Sequence, residues 1–167
     1  MIDHFTVTVR DIKASVAFYT AALKPLGYSV KMDFGDFVGF GDARKPYFFL
    51  KSGAGITPSQ PMHIAFAAAN RNQVDAFHDA AIKAGAMNDG HPGLREQYHP
   101  NYYGAFVIDL DGHPIEAVCH AGPGQDAAAK AAPVKAAPAK AAPKKKAAAK
   151  KPAAKKPAAK KAKAKRR

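Results

Sequence analysis

Residues 4–9, HFTVTV, have a counterpart 59 positions later in residues 63–67, HIAFA. In both segments a histidine precedes an alternation in which every second side chain is apolar, which is the pattern of a strand with one buried face. Over residues 4–24, six of 21 positions are identical in the shifted copy. The chain therefore contains a duplicated module.

Each opening strand is followed by a stretch of helical periodicity and then by three extended segments. Gly27 and Gly85 stand where the helices should end, and Asp111-Gly112 is typical of a hairpin turn. The pattern predicts the order β-α-β-β-β twice, over about residues 1–55 and 60–120 of a domain spanning residues 1–124. We expect an α+β fold in which the two modules form a curved mixed-sheet cup with the helices outside.

Three polar side chains are predicted on the strand faces turned away from the helices. His4 and His63 hold equivalent positions, and Glu116 alternates with apolar residues on the closing strand. Two imidazoles and a carboxylate form a facial triad that leaves coordination positions open. A divalent cation would offset the energetic cost of burying the carboxylate. The alternatives are capping or core histidines, and an ion pair of Glu116 with Arg95.

A polar and aromatic loop precedes the closing hairpin. Its residues His99 and Tyr102 are candidates for catalysis as an acid, a base or a hydrogen-bond donor, because loops at the mouth of a rigid cup often carry substrate contacts. Arg95 and Tyr103, together with Phe48 from an aromatic cluster in the first module, are candidates for substrate binding. The alternative is a surface loop with a structural pair of tyrosines.

These motifs resemble the vicinal oxygen chelate superfamily of glyoxalases, extradiol dioxygenases and bleomycin-resistance proteins. The likeness spans residues 1–120 and is carried by residues 3–11 (DHFTVTVRD), 62–66 (MHIAF) and 103–118 (YGAFVIDLDGHPIEAV). The resemblance implies modules paired within or between chains, which makes a homodimer an expectation. It also implies a divalent metal that chelates two substrate oxygens. We expect Fe(II) or Mn(II), with Zn(II) or Ni(II) as alternatives.

The first module lacks a counterpart of Glu116. Aligning the final hairpin with residues 37–53 pairs Glu116 with Phe48. Glyoxalase-type sites carry a fourth ligand at this place, usually a carboxylate. The three-ligand set is similar to that of the extradiol dioxygenases, so the resemblance favours oxygen chemistry and leaves a glyoxalase or lyase reaction open.

The sequence thus predicts a divalent-metal-dependent enzyme acting on a small aromatic or dicarbonyl substrate. Two other classes stay open. One is a non-catalytic protein that sequesters a ligand, as bleomycin-resistance relatives do. The other is a nucleoid-associated protein that uses the domain as a dimeric platform.

The C-terminal segment has a different composition. Residues 125–167 hold 16 Lys or Arg and one acid, whereas residues 1–124 hold 10 Lys or Arg and 12 Asp or Glu. Regular prolines and the scarcity of large apolar residues predict a disordered tail. Residues 130–167 resemble linker-histone tails, which implies non-specific, salt-sensitive contact with DNA, RNA or another polyanion. The alternative is a solubilising tail.

Composition excludes several other classes. A single cysteine, Cys119, rules out an intrachain disulfide and a cysteine-rich zinc site. No apolar run is long enough to cross a bilayer. We expect a cytoplasmic protein without membrane contact, associated with the nucleoid if its tail binds DNA.

Overall fold

The computed structural model describes residues 2–122, and the predicted tail, residues 125–167, lies outside the described residues. The first module comprises β1 (Phe5–Thr8), α1 (Ile12–Leu23), a 3₁₀ turn (Lys24–Leu26), β2 (Ser29–Asp33), β3 (Phe37–Gly41) and β4 (Pro46–Lys51). The second comprises β5 (Ile64–Ala67), α2 (Arg71–Lys83), β6 (Met87–Leu94), β7 (Tyr103–Ile108) and β8 (Pro114–Cys119). The predicted β-α-β-β-β order is confirmed in both modules.

Both helices begin at side-chain caps. The Asp11 carboxylate accepts hydrogen bonds from the first free amides of α1, and the Asn70 side chain accepts one at the start of α2. The segment after α1 ends at Gly27, whose φ of 84° lies in the left-handed region that favours glycine. Within residues 2–122, neither helix is long and apolar enough to span a membrane.

Each module forms one four-stranded mixed sheet, with strand orders β1-β4-β3-β2 and β5-β8-β7-β6. In both sheets the opening strand runs parallel to the closing strand, and the remaining pairs are antiparallel. In this topology β5 lies beside β8, and Ala65 is in register with Glu116. The α+β class is therefore confirmed.

The register of the two parallel pairs corrects the sequence alignment by one residue. Phe5 pairs with Phe48, and Ile64, the counterpart of Phe5, pairs with Ile115. Phe48 therefore corresponds to Ile115, and the residue that corresponds to the next position, Glu116, is Phe49. A shift of one residue moves a side chain to the opposite face of a sheet.

The closing strand of the first module has a local irregularity. The pairing of β3 with β4 is irregular between Phe40 and Gly41, because one extra residue lies in β4 between Pro46 and Phe48. The first module still lacks an acid at the corrected position, so the inference that a fourth carboxylate ligand is missing is unchanged.

The helix-facing sides of both sheets and the two helices share one continuous hydrophobic core. Phe48 from the first module meets Phe66 from the second edge to face, with ring centroids 5.6 Å apart. A buried hydrogen bond from Tyr19 Oη in α1 to Asp109 Oδ2 after β7, 2.6 Å long, also joins the modules. Burial and the nearby Asp109 carboxylate raise the pKa of Tyr19 well above its ordinary value.

Candidate functional site

The second module brings one predicted imidazole and the predicted carboxylate into contact. His63 Nε2 lies 2.9 Å from Glu116 Oε2, and since a carboxylate only accepts, Nε2–H donates. The Glu116 side chain is only 3% exposed, whereas that of His63 is 53% exposed. The acid is therefore buried beneath His63, whose own side chain is accessible to solvent.

Tyr102 holds the other oxygen of this acid. Its hydroxyl donates to Glu116 Oε1. Burial and the Glu116 carboxylate raise the pKa of Tyr102, so the phenol keeps its proton and stays a donor. Gly104 provides the space for this contact, because a Cβ there would lie 3.0 Å from Glu116 Oε1 and 3.2 Å from the Tyr102 ring. The sequence analysis did not single out Gly104; a glycine inside a strand is the signal that could have found it.

Among residues 2–122, Glu116 has no ion pair with a lysine or an arginine. Arg95, the predicted alternative partner, donates instead to the His91 carbonyl at 2.7 Å and stacks on the Phe106 ring at 5.4 Å. A buried carboxylate is stable when hydrogen-bonded and paired with positive charge. An imidazole and a carboxylate are both donor types that divalent first-row metals accept.

His4 lies in the first module, in contact with Asp3 and Phe49. His4 Nδ1 donates to Asp3 Oδ1 over 2.8 Å, and its ring meets that of Phe49 at 5.6 Å, edge on. The second carboxylate oxygen of Asp3 accepts from Lys45. The hydrogen bond from His4 and that from Lys45 lower the pKa of Asp3. The His4 side chain is 59% exposed.

In the part of the chain that the structure describes, no three His, Cys, Asp or Glu side chains are grouped so that they could hold a metal. The structure therefore brings His63 and Glu116 together, and His4 does not join them within one chain. Two of the three predicted ligands lie in one module, and the third lies in the other.

A second cluster surrounds the predicted catalytic residues. His99 Nε2 lies 2.8 Å from His120 Nδ1 with the rings stacked, and the Tyr102 ring meets both edge on. The Asn101 backbone N–H donates to His99 Nδ1 at 3.2 Å, so in neutral His99 the proton is on Nε2. His120 then accepts at Nδ1 and presents an Nε2–H donor. Alternation along β8 puts His120 on the Glu116 face.

The structure places two of the predicted substrate contacts on the helix-facing sides of the sheets. Phe48 is fully buried in the shared core, because the corrected register turns it toward the helices. Tyr103 also faces the helices: it packs against the core and its hydroxyl donates to Asp75 of α2 over 2.8 Å. The aromatic pair on the other face of the first sheet is Phe37 and Phe49, stacked at 5.0 Å.

Comparison with known proteins agrees with this architecture. A family model described as "Glyoxalase/Bleomycin resistance protein/Dioxygenase superfamily" matches residues 1–117. A crystal structure of a glyoxalase/bleomycin resistance protein from Albidiferax ferrireducens is 28% identical, with a TM-score of 0.60, covering 70% of this chain and 96% of that one. No match is found among curated proteins.

Two more distant structures share the fold alone. A glyoxalase/bleomycin resistance protein/dioxygenase family enzyme from Burkholderia phytofirmans is 19% identical with a TM-score of 0.57, covering 72% of this chain and 98% of that one. The fosfomycin resistance protein FosX from Listeria monocytogenes is 18% identical with a TM-score of 0.54, covering 71% and 92%. Since the family model matches most of the chain and the paired modules have the same architecture, the chain belongs to the glyoxalase/bleomycin resistance protein/dioxygenase superfamily.

Proposed function

We propose that the chain is a divalent-metal-dependent enzyme of this superfamily, with Glu116 and His63 of one copy and His4 of a second copy as the metal ligands. The observation that carries the proposal is the buried Glu116 carboxylate, which faces His63 at 2.9 Å and has no lysine or arginine partner among residues 2–122. A bound cation would supply the missing positive charge.

A second copy is proposed because the third ligand is otherwise missing. His4 and His63 are equivalent in the duplication, yet His4 lies with Asp3 and Phe49 rather than beside Glu116. Residues on the same strand faces, including Thr6 and Ala65, are exposed. In a two-fold dimer, each His4 would meet the other copy's His63–Glu116 pair, which gives two equivalent composite sites.

The cation, when bound, would act as a Lewis acid toward the oxygens of a small substrate. Tyr102 keeps Glu116 Oε1 hydrogen-bonded, which leaves Oε2 as the ligand atom. His63 would transfer its proton from Nε2 to Nδ1, because a ligand nitrogen must offer a lone pair. Tyr102 would keep its hydroxyl proton and continue to donate it to Glu116 Oε1.

The surrounding side chains suit an aromatic or dicarbonyl substrate. The His120 Nε2–H and the Arg95 guanidinium, stacked on Phe106, are donors on the Glu116 side. The stacked rings of Phe37 and Phe49 offer an apolar wall beside His4. A triad without a fourth carboxylate favours Fe(II) or Mn(II) and oxygen chemistry of the extradiol type over a glyoxalase or lyase reaction.

Metal analysis of the purified full-length protein tests this proposal. We expect close to one Fe or Mn per chain after reconstitution, and loss of that metal in Glu116→Gln. Oxygen uptake with catechols, compared with a methylglyoxal–thiol assay, then separates the two reaction types. A chain that stays metal-free with Fe(II), Mn(II), Zn(II) and Ni(II), and that binds an aromatic compound unchanged, would support ligand sequestration instead.

We also propose that the basic C-terminal segment binds nucleic acid non-specifically. Its composition supports this, with 16 Lys or Arg in residues 125–167. If half of them contacted phosphates, the logarithm of the binding constant would fall with the logarithm of salt concentration with a slope of about −7. DNA retention of the full chain should exceed that of residues 1–124 at low salt and converge with it at high salt. Equal retention at both would contradict this role.

A further inference from the structure

We propose that Asp3 is a positioning residue that prepares His4 to bind a metal through Nε2. This inference rests on the proposed function, because the role of Asp3 is to orient a histidine that acts as a ligand. Asp3 would hold a metal ligand without binding the metal itself, and the second module has no acid at the equivalent position.

The hydrogen bond between Asp3 and His4 defines which imidazole nitrogen carries the proton. Asp3 Oδ1 lies 2.8 Å from His4 Nδ1, and a carboxylate can only accept, so the hydrogen is on Nδ1. In a neutral imidazole the lone pair is then on Nε2. Among residues 2–122 no group hydrogen-bonds His4 Nε2, so that nitrogen is available to a metal. His63, by contrast, must first move its Nε2 proton.

Asp3 is itself held in place by the fold. Lys45, immediately before β4, donates to its Oδ2. The Lys45 ammonium also lies 5.2 Å from the centre of the Tyr47 ring. The imidazole also meets the Phe49 ring edge on, with centroids 5.6 Å apart. The His4 ring is therefore oriented by two contacts although it is exposed.

Stability does not account for this arrangement. An exposed carboxylate–imidazole contact contributes little to folding, because water and salt screen it. Metal-binding histidines, however, almost always donate their second ring nitrogen to a carboxylate, a carbonyl or water, and loss of such a partner typically lowers metal affinity about 10- to 100-fold. The contact between Asp3 and His4 is therefore explained by metal binding rather than by folding stability.

The duplication shows why only His4 has this partner. The counterpart of Asp3 in the second module is Met62, whose backbone N–H donates to His113 Nδ1 at 3.1 Å. His63 has Glu116 beside it, whereas the equivalent position beside His4 is Phe49. The first module has no carboxylate at the position of Glu116, and Asp3 is the acid that sets the tautomer of His4.

Two readouts on the full-length protein test the inference, with Mn(II) as the probe. The test variant is Asp3→Ala, and the matched control is Asp36→Ala, another exposed acid in the first module. We expect Asp3→Ala to weaken Mn(II) binding about 10- to 100-fold in a titration followed by electron paramagnetic resonance. In metal-free protein, ¹⁵N NMR of the imidazoles should show His4 shifting from the Nδ1–H form toward Nε2–H. The control should change neither.

Asp3→Ala with unchanged Mn(II) affinity overturns the inference, whatever the tautomer does. Weaker binding without a tautomer change overturns it as well, because Asp3 would then act only through its charge. If Mn(II) binds the unaltered chain and His4→Ala equally well, the composite site itself is wrong, and so is the inference. The proposed function survives the first two results and fails in the third.

Discussion

The two modules share one backbone plan but use the helix-free faces of their sheets for different purposes. On the inner strand, Phe37 and Gly39 in the first module correspond by register to Gly104 and Phe106 in the second. Each module thus has one phenylalanine and one glycine, in opposite order. Gly39 makes room for the Phe49 ring, and Gly104 makes room for Glu116 and Tyr102.

This exchange explains how a duplicated fold acquires two unlike half-sites. The second module buries an acid and covers it with His63. The first module has the aromatic Phe49 in place of that acid and leaves His4 exposed, oriented by Asp3. Neither half has a full ligand set, so the comparison predicts that metal binding needs both kinds of half-site.

The largest expected effect comes from removing the acid of the second module. Glu116→Gln should lower metal affinity by more than about 100-fold, because losing a charged ligand exceeds the usual effect of losing an outer-shell partner. Calorimetric titration with Mn(II) measures it, and Glu96→Gln, an exposed acid of the same chain, is the control. Equal affinities in the two variants would assign the metal to another place.

The buried bond between the modules should matter next. Tyr19→Phe removes the donor to Asp109 and should lower the free energy of unfolding by about 1.5–3 kcal/mol, the range for hydrogen bonds to charged groups. Chemical denaturation measures this, with Tyr47→Phe as a half-exposed control. A loss no larger than in the control would mean that the hydrogen bond between Tyr19 and Asp109 does not help to hold the modules together.

The same residue predicts a pH dependence. Because the pKa of Tyr19 is raised in the folded state, the folded chain keeps a proton that the unfolded chain releases above pH of about 10. Below that pH, Tyr19 therefore makes its full contribution to the free energy of unfolding. This contribution is lost as the pH rises from there through the raised pKa of the folded state. Tyr19→Phe should show a smaller alkaline loss of stability than the unaltered chain.

A smaller effect is expected from filling the space beside the acid. Gly104→Ala would place a methyl group 3.0 Å from Glu116 Oε1, which should displace the carboxylate and weaken metal binding about 10-fold. Gly90→Ala is the matched control. Its methyl group would lie 3.0 Å from the Phe106 ring, which is as tight a contact, but it would not crowd Glu116. If both alanines weaken Mn(II) binding alike, general packing rather than the acid accounts for the effect.

The smallest effect should come from the exposed contact between the same two modules. Arg10 donates to Asp111 over 2.9 Å, but its side chain is 65% exposed. Arg10→Ala should therefore change the free energy of unfolding by less than about 1 kcal/mol, and the difference should shrink with added salt. If Arg10→Ala lost more stability than Tyr19→Phe, the exposed contact of Arg10 with Asp111 would be the stronger polar link between the modules.

Local patterns predicted much of this fold because they follow from backbone geometry. The alternation around His4 and His63 and the helix end near Gly27 are each set by a few neighbouring residues. Alternation also put Glu116 and His63 on one face, and their side chains lie 2.9 Å apart.

What could not be predicted depends on register and on long-range packing. Phe48 lies in the core because it corresponds to Ile115 rather than to Glu116, and a one-residue difference in strand register could not be told from the sequence alone. The placement of His4 away from Glu116 depends on how the modules pack through Tyr19 and Phe66, which local periodicity does not encode.

Mixing two defective variants tests the composite site most directly. Full-length His4→Ala and Glu116→Gln, co-expressed in equal amounts with different tags, should each bind little metal alone. Together they should recover about one quarter of the unaltered metal content, because half of randomly formed dimers are mixed and each has one complete site. A mixture as metal-poor as the separate variants would contradict a site shared between two copies.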